Sequence, residues 1–135
     1  MVLVDTSVLI GYLKGQGDPK TMLFEEILEK SIPYGISALT YQEVLQGAKD
    51  EQEYQVLKDY LSTQRLYYIN PQRESYEQSA AIFFRLRRKG ITPRSTIDVL
   101  IVATAIKYNL ALLQNDRDFD LMGEHLPELR ILKSL

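Results

Sequence analysis

The sequence opens with MVLVDTSVLIGYL at positions 1–13, where a short apolar run leads into Asp5, Thr6 and Ser7 and then into a second apolar run. Short apolar runs that contain Val are typical of β-strands. Asp, Thr and Ser are preferred at the N-terminal caps of helices. The stretch therefore predicts a strand over residues 1–4, a turn and a helix.

The same alternation of strand and helix continues along the chain. Strands alternating with helices imply right-handed crossovers and a parallel sheet. We therefore expect an α/β fold, with one domain over residues 1–135 and a parallel sheet of four or five strands covered by helices on both faces. The further strands are expected at 34–37, 66–69, 110–113 and, as a short edge strand, 130–132; the further helices at 21–30, 40–48, 51–62, 75–89 and 97–108; and a polar loop at 115–120.

Several side chains are expected in the core. Residues 97–108 are apolar almost all round, which predicts a deeply buried helix. The lone His125 lies in what we expect to be a C-terminal loop at the surface. Helix 75–89 is expected to pack through Tyr76, Ala80, Phe83, Phe84 and Leu86, and most of the aromatic residues Tyr54, Tyr60, Tyr67, Tyr68, Tyr76, Phe83 and Phe84 are expected to be core residues.

The composition limits the chemistry. Cysteine is absent from the 135 residues, which excludes disulfides, thiolate metal sites and a cysteine nucleophile. The N-terminus lacks the pattern of a signal peptide, and no apolar stretch approaches the length of a membrane span, so we expect a cytoplasmic protein with no membrane contact. The net charge of -2 offers no general attraction to nucleic acid, so RNA binding would require a local basic patch or a metal.

Four acidic residues lie close to the carboxyl ends of predicted strands. Asp5 ends the first strand, Glu43 lies early in the helix after the second, Asp98 opens the apolar helix and Asp116 follows the fourth strand. Ligands of parallel sheets bind at this edge. Clustered carboxylates repel one another and need a cation, and oxygen ligands favour Mg²⁺ or Mn²⁺.

We therefore expect a site at which a divalent metal promotes phosphodiester hydrolysis. Asp5, Asp98 and Asp116 are the expected metal ligands, with Glu43 holding a metal-bound water or a second ion.

Each acid also has a purely structural interpretation. Asp5 is suited to capping a helix, Thr40-x-x-Glu43 and Ser95-x-x-Asp98 match the capping-box pattern, and Asp116 is a common turn residue. Two observations favour a site. Asp98 would be a costly lone charge in an apolar helix, and independent caps have no reason to gather at one edge of the sheet.

Four segments resemble the ordered motifs of PIN domains: VDTSVLI at 4–10, TYQEV at 40–44, IDVLIVATA at 97–105 and NDRDF at 115–119. Their order and the chain length resemble those of VapC-type toxins. The resemblance implies a Rossmann-like fold, a Mg²⁺ or Mn²⁺ site and endonuclease cleavage of RNA. It also implies a homodimer and a small antitoxin that reaches into the active cleft. Asp5, Glu43 and Asp98 carry over directly; for the last acid we prefer Asp116 and keep Asp118 as second choice.

Other polar residues could bind RNA. The hydroxyls of Thr6 and Ser7 could fix a carboxylate or donate to a phosphate, and they could equally serve as caps. The densest basic region contains Arg85, Arg87, Arg88, Lys89 and Arg94, from which Arg85 and Arg88 are candidate phosphate contacts. Positive charge at the end of a helix also stabilises the helix dipole.

Other functions compete with the ribonuclease. A phosphotransferase could use Asp5 as its nucleophile, but the haloacid-dehalogenase signature has a second Asp where this chain has Ser7. An RNA-processing PIN nuclease without an antitoxin would have much the same sequence as a toxin. A non-catalytic scaffold that binds RNA or protein is the third alternative.

Overall fold

The computed structural model describes all 135 residues and contains one parallel sheet. Its strands are β1 (Val2–Val4), β2 (Tyr34–Ser37), β3 (Leu66–Tyr67), β4 (Ala111–Leu113) and β5 (Arg130–Ile131). They are ordered β3-β2-β1-β4-β5, and every neighbouring pair is parallel. The predicted parallel α/β sheet is confirmed, with five strands and β1 at its centre.

Seven helices connect the strands. Six of them have an N-cap Asp or Ser whose side chain accepts a hydrogen bond from the first turn, and only α5 lacks such a cap. None is long and apolar enough to cross a membrane. The helices are α1 (Thr6–Leu13), α2 (Pro19–Glu29), α3 (Ala38–Gln46), α4 (Glu51–Leu61), α5 (Arg73–Arg88), α6 (Thr96–Lys107) and α7 (Arg117–His125).

Helices cover both faces of the sheet, as predicted. Successive side chains of a strand point to opposite faces, and β1 shows the consequence. Leu3 belongs to a core cluster with residues of α5, α6 and α7, whereas Val2 and Val4 belong to a second cluster with residues of α1 to α4. Both clusters are therefore built on the central strand.

The predicted start of α3 is wrong. The helix begins at Ala38 because Ser37, the last residue of β2, caps it by accepting a hydrogen bond from the Leu39 N–H at 3.1 Å. Thr40 lies inside the helix and is fully buried. Thr40-x-x-Glu43 is therefore not a capping box, and Glu43 takes no part in capping α3.

The predicted polar loop at 115–120 is also wrong. Asp116 caps α7 by accepting a hydrogen bond from the Asp118 N–H at 3.0 Å, so the helix begins at Arg117. Phe119 and Met122 lie one turn apart and are buried, but charged neighbours conceal this short apolar stripe in the sequence. His125 ends the helix and is half-buried, so it is not in a surface loop.

None of the seven aromatic residues considered for the core is buried. Tyr54, Tyr68, Tyr76 and Phe84 are exposed, and Tyr60, Tyr67 and Phe83 are half-buried. Helix α5 packs through Ser79, Ile82 and Leu86, which share one face, rather than through Tyr76, Ala80 and Phe84. Helix α6 is buried along Val99, Ile101, Val102, Thr104 and Ala105, whereas Ile97 at its start is 37% exposed. The large apolar surface of Tyr and Phe favours the core, but on α4 and α5 the position around the helix places Tyr54, Tyr76 and Phe84 on the solvent side.

Gly35 in β2 permits close contact with β3. A Cβ atom there would lie 2.6 Å from Cε2 of Tyr67 and 3.0 Å from the carbonyl oxygen of Arg65. We expect Gly35→Ala to lower the free energy of unfolding in urea by about 1–3 kcal/mol, the usual cost of overpacking. Gly17→Ala is the control, since nothing lies within 4 Å of its Cβ position. Equal stability of the two variants would contradict this account of the strand spacing.

Candidate active site

The site lies at the carboxyl ends of β1 and β4. These strands are neighbours at the centre of the sheet, and the Asp5 N–H extends their pairing by donating to the Leu113 carbonyl at 2.9 Å. From β1 the chain continues to β2 on one side, while β4 lies on the other. Ligand crevices of parallel sheets form where the strand order reverses in this way.

Asp5 is held by Ser7 and is 4% exposed. Its Oδ2 accepts hydrogen bonds from the Ser7 N–H at 3.0 Å and the Ser7 hydroxyl at 2.7 Å. The Ser7 Oγ in turn accepts from the Asn115 N–H at 2.9 Å, which links the ends of β1 and β4. Burial raises the pKa of Asp5 against these hydrogen bonds, and the charge of Glu43 raises it further. Asp5 is both the cap of α1 and part of the acidic cluster.

Glu43 reaches the same crevice from α3. Its Oε1 lies 2.8 Å from the Thr6 hydroxyl oxygen, which is 3.0 Å from the hydroxyl oxygen of buried Thr40. The contact joins α3 to the first turn of α1. The Thr6 hydroxyl thus contacts the carboxylate of Glu43, and the Ser7 hydroxyl contacts that of Asp5. Contact with a carboxylate is one of the roles predicted for these two residues.

Asp98 lies within the electrostatic influence of the other acids. It lies in the first turn of α6, is half-buried, and its N–H donates to the Ser95 hydroxyl oxygen at 3.3 Å. Burial, together with the charges of Asp5, Asp116, Glu43 and Asp118, raises the pKa of Asp98 to about 6. The structure therefore brings all five acids named from the sequence into one electrostatic neighbourhood.

Asp116 and Asp118 both lie near Arg94, which the sequence indicates only as part of a basic region. Nε of Arg94 lies 2.8 Å from Oδ2 of Asp118, and Nη2 lies 3.6 Å from Oδ1 of Asp116. No periodicity connects Arg94 to residues that follow it by more than twenty positions. The contact forms because the loop before α6, which contains Arg94, lies next to the start of α7 in the folded protein.

The other candidate RNA contacts, Arg85 and Arg88, have partners outside the acidic cluster. Both terminal nitrogens of Arg85 donate to the carboxylate of Glu128, at 3.1 and 3.2 Å. The guanidinium carbon of Arg88 lies 5.7 Å from the ring centroid of Phe84. Arg94 is the one member of the basic run with a salt bridge to the acids.

The donor set suits a hard divalent cation. It consists of five carboxylates with one adjacent arginine, and the chain has no cysteine. Carboxylate oxygens are the ligands that Mg²⁺ and Mn²⁺ prefer. No three acidic or histidine side chains of the structure are close enough to hold one ion together. Asp5, Glu43 and Asp118 instead contact Ser7, Thr6 and Arg94.

Burial of Asp98 and the repulsion from the neighbouring acids should lower the stability of the fold. Because the pKa of Asp98 is higher in the folded protein than its ordinary value of 3.8, its ionised form destabilises the fold above a pH of about 6. We expect Asp98→Asn to raise the Tm in EDTA by a few degrees above this pH. The gain should shrink as the pH falls toward 3.8 and Asp98 becomes protonated in both states.

Asp59→Asn is the control for this measurement. Asp59 is exposed on α4 and its carboxylate accepts a hydrogen bond only from Gln55. It should show no comparable pH-dependent gain. A lower Tm for Asp98→Asn at high pH would show that the carboxylate contributes favourable contacts that outweigh the repulsion.

The chain is similar to known proteins along nearly its whole length. It is 27% identical over 124 residues to ribonuclease VapC11 of Mycobacterium tuberculosis, covering 91% of this chain and 92% of that protein. A toxin–antitoxin complex from Klebsiella pneumoniae contains a chain with 28% identity and a TM-score of 0.67, with full coverage of both chains. DNA-bound VapBC from Salmonella typhimurium contains one with 24% identity, a TM-score of 0.73 and 98% coverage of each. The PIN domain family matches residues 2–124, and the chain therefore belongs to the PIN domain family.

Proposed function

We propose that this protein is a metal-dependent endoribonuclease and the toxin of a type II toxin–antitoxin pair. The observation that carries the proposal is the gathering of Asp5, Glu43, Asp116 and Asp118 around Asp98 at the central crevice of the sheet. Such a cluster is electrostatically unfavourable without a cation. Membership of the PIN domain family and the relatives named ribonuclease support the same activity.

We assign different roles in metal binding and hydrolysis to the individual acids. Asp5, Asp98 and Asp116 would hold Mg²⁺ or Mn²⁺, which requires their side chains to turn toward a shared ion, since no three acids are close enough as they stand. Asp118 is the alternative to Asp116, and Glu43 would orient water beside the ion or hold a second ion. A divalent metal supplies Lewis acidity to the phosphodiester and to the attacking water. Hydrolysis adds this water across the P–O bond and divides the RNA strand into two fragments.

Neighbouring side chains keep the acids in place. Ser7 donates twice to one oxygen of Asp5, and the Asn115 N–H holds the Ser7 hydroxyl in turn. Thr6 contacts Glu43 and anchors it to the helix that Asp5 caps. These contacts limit how far the carboxylates of Asp5 and Glu43 can move from the crevice.

The proposed toxin acts as one cytoplasmic domain over residues 1–135 and has two protein partners. One is a small cognate antitoxin that covers the acidic crevice; the chain from Klebsiella pneumoniae that resembles this one was solved within a toxin–antitoxin complex. The other is a second copy of this chain. Helix α4 is where we expect the homodimer contact, since Tyr54 is 45% and Val56 is 61% exposed there.

We expect the purified protein to cut total cellular RNA into discrete fragments with Mg²⁺ or Mn²⁺. EDTA should abolish the cleavage because carboxylates without a cation cannot offset the charge of the reacting phosphate. Asp98→Asn should lower the rate by at least about 100-fold, the usual scale for losing a principal electrostatic contribution. Gel analysis of the fragments measures both effects.

Asp59→Asn is the matched control and should cleave at the wild-type rate, since this acid lies on exposed α4. Circular dichroism establishes that each variant is folded. Absence of cleavage by folded, metal-loaded protein free of antitoxin would favour a scaffold or a phosphotransferase. Cleavage that survives in EDTA would indicate a contaminating nuclease, and metal-dependent cleavage by Asp98→Asn at the wild-type rate would contradict the role of Asp98.

The toxin assignment has its own test. Expression of the chain alone should arrest bacterial growth, and expression of Asp98→Asn at equal level should not. Co-expression of a small protein encoded beside the gene should restore growth by occupying the crevice. Cleavage in vitro without growth arrest would point to an RNA-processing nuclease that has no antitoxin.

A further inference from the structure

Arg94 presents unused hydrogen-bond donors beside the acidic cluster. A guanidinium carries five N–H groups, and Arg94 uses the one on Nε to bind Asp118 at 2.8 Å. The 3.6 Å approach of Nη2 to Asp116 is too long for a hydrogen bond, so the terminal N–H groups have no partner within the protein. The side chain is 75% exposed, which leaves these groups open to a ligand.

The other arginines near carboxylates differ in this respect. Arg85 uses both terminal nitrogens on Glu128, so its fork is occupied. Arg73 pairs with Glu77 one turn along α5 and contacts no member of the acidic cluster. Only Arg94 combines an anchored Nε, free terminal nitrogens and proximity to Asp98 and Asp116.

Asp118 already has local charge compensation. Its side chain is 17% exposed and bonded to Arg94, and it lies in the first turn of α7, where the helix dipole favours negative charge. Asp98 also lies in a first turn, but it has no salt bridge and is surrounded by four other acids. The two acids therefore differ in their need for an additional cation.

We propose that Arg94 binds a backbone phosphate of the RNA through its terminal nitrogens, and that Asp118 positions Arg94 rather than serving as a metal ligand. The inference rests on the proposed ribonuclease function. A guanidinium fork matches two phosphate oxygens, which a lysine ammonium does not. In a protein of net charge -2, such a contact offers the substrate a local positive group at the edge of an acidic crevice.

The test measures RNA binding without cleavage. All variants carry Asp98→Asn, and filter binding follows end-labelled small RNA from whole cells over a range of salt concentrations. Arg94→Ala should weaken binding about 10-fold, the scale of a charged hydrogen-bonded contact. It should also reduce the slope of log K against log salt by about 0.7, as expected when one phosphate contact to single-stranded RNA is lost.

The conservative variant and the control sharpen the result. Arg94→Lys should recover most of the salt slope, because lysine keeps the charge, but only part of the affinity, because lysine lacks the anchored fork. Arg73→Ala removes an exposed, carboxylate-paired arginine on α5 and should bind like the parent. Equal RNA binding and equal salt slope for Arg94→Ala and the parent would overturn the proposal.

A double-mutant cycle tests the role of Asp118. Asp118→Asn should weaken RNA binding when Arg94 is present and have little further effect in the Arg94→Ala background, since it acts through Arg94. Calorimetric titration with Mn²⁺, using chains that keep Asp98, should give similar affinities for wild type and Asp118→Asn. Loss of Mn²⁺ binding in Asp118→Asn would make it a metal ligand and overturn the positioning role.

Two further outcomes separate this inference from the proposed function. Tighter Mn²⁺ binding by Arg94→Ala, with RNA binding unchanged, would make Arg94 a competitor of the metal and overturn the phosphate contact alone. Failure of the wild-type chain both to bind and to cleave RNA would overturn the ribonuclease and the phosphate contact together.

Discussion

The pairing of β1 with both β2 and β4 is the constraint on which the rest of the structure depends. Val2 is in register with Tyr34 on one side and with Ala111 on the other, so the first strand of the chain becomes the centre of the sheet. Its alternating side chains supply both core clusters. Its carboxyl end also places Asp5 beside the end of β4, where Asp116 follows. Folding and the acidic site therefore depend on the same central strand.

Helix capping and the candidate chemistry use the same residues. Asp5 caps α1 and Asp116 caps α7, yet both contribute to the field that raises the pKa of Asp98. The structural and functional interpretations of these acids are therefore compatible. A strand that leads directly into a capped helix places a carboxylate at the sheet edge where ligands of such folds bind. Capping fixes the position of each carboxylate, and the cluster of acids creates the negative potential that would attract a cation.

The charges at the crevice are only partly balanced. Arg94 offsets Asp118 and approaches Asp116, while Ser7 and Thr6 give hydrogen-bonding partners to Asp5 and Glu43. Asp98 has no salt bridge, and burial together with the neighbouring acidic charges raises its pKa to about 6. Unfavourable electrostatics are tolerated where function requires them. The acidic crevice is therefore the place in the protein where a bound cation would contribute most.

The sequence by itself determined the alternation of strands and helices and the parallel sheet, and it named the five acids as candidates, because apolar runs, caps and motifs are local signals. The sequence did not predict the beginning of α7, because the apolar face of this helix is short and Phe119 lies between charged residues. The sequence also did not predict the exposure of Tyr76 and Phe84, because packing against neighbouring elements determines which face of α5 is buried. Only the tertiary structure decided that Arg94 meets Asp118 and that Thr6 meets Glu43. Those contacts join residues far apart in the chain, and no local pattern encodes the distance between them.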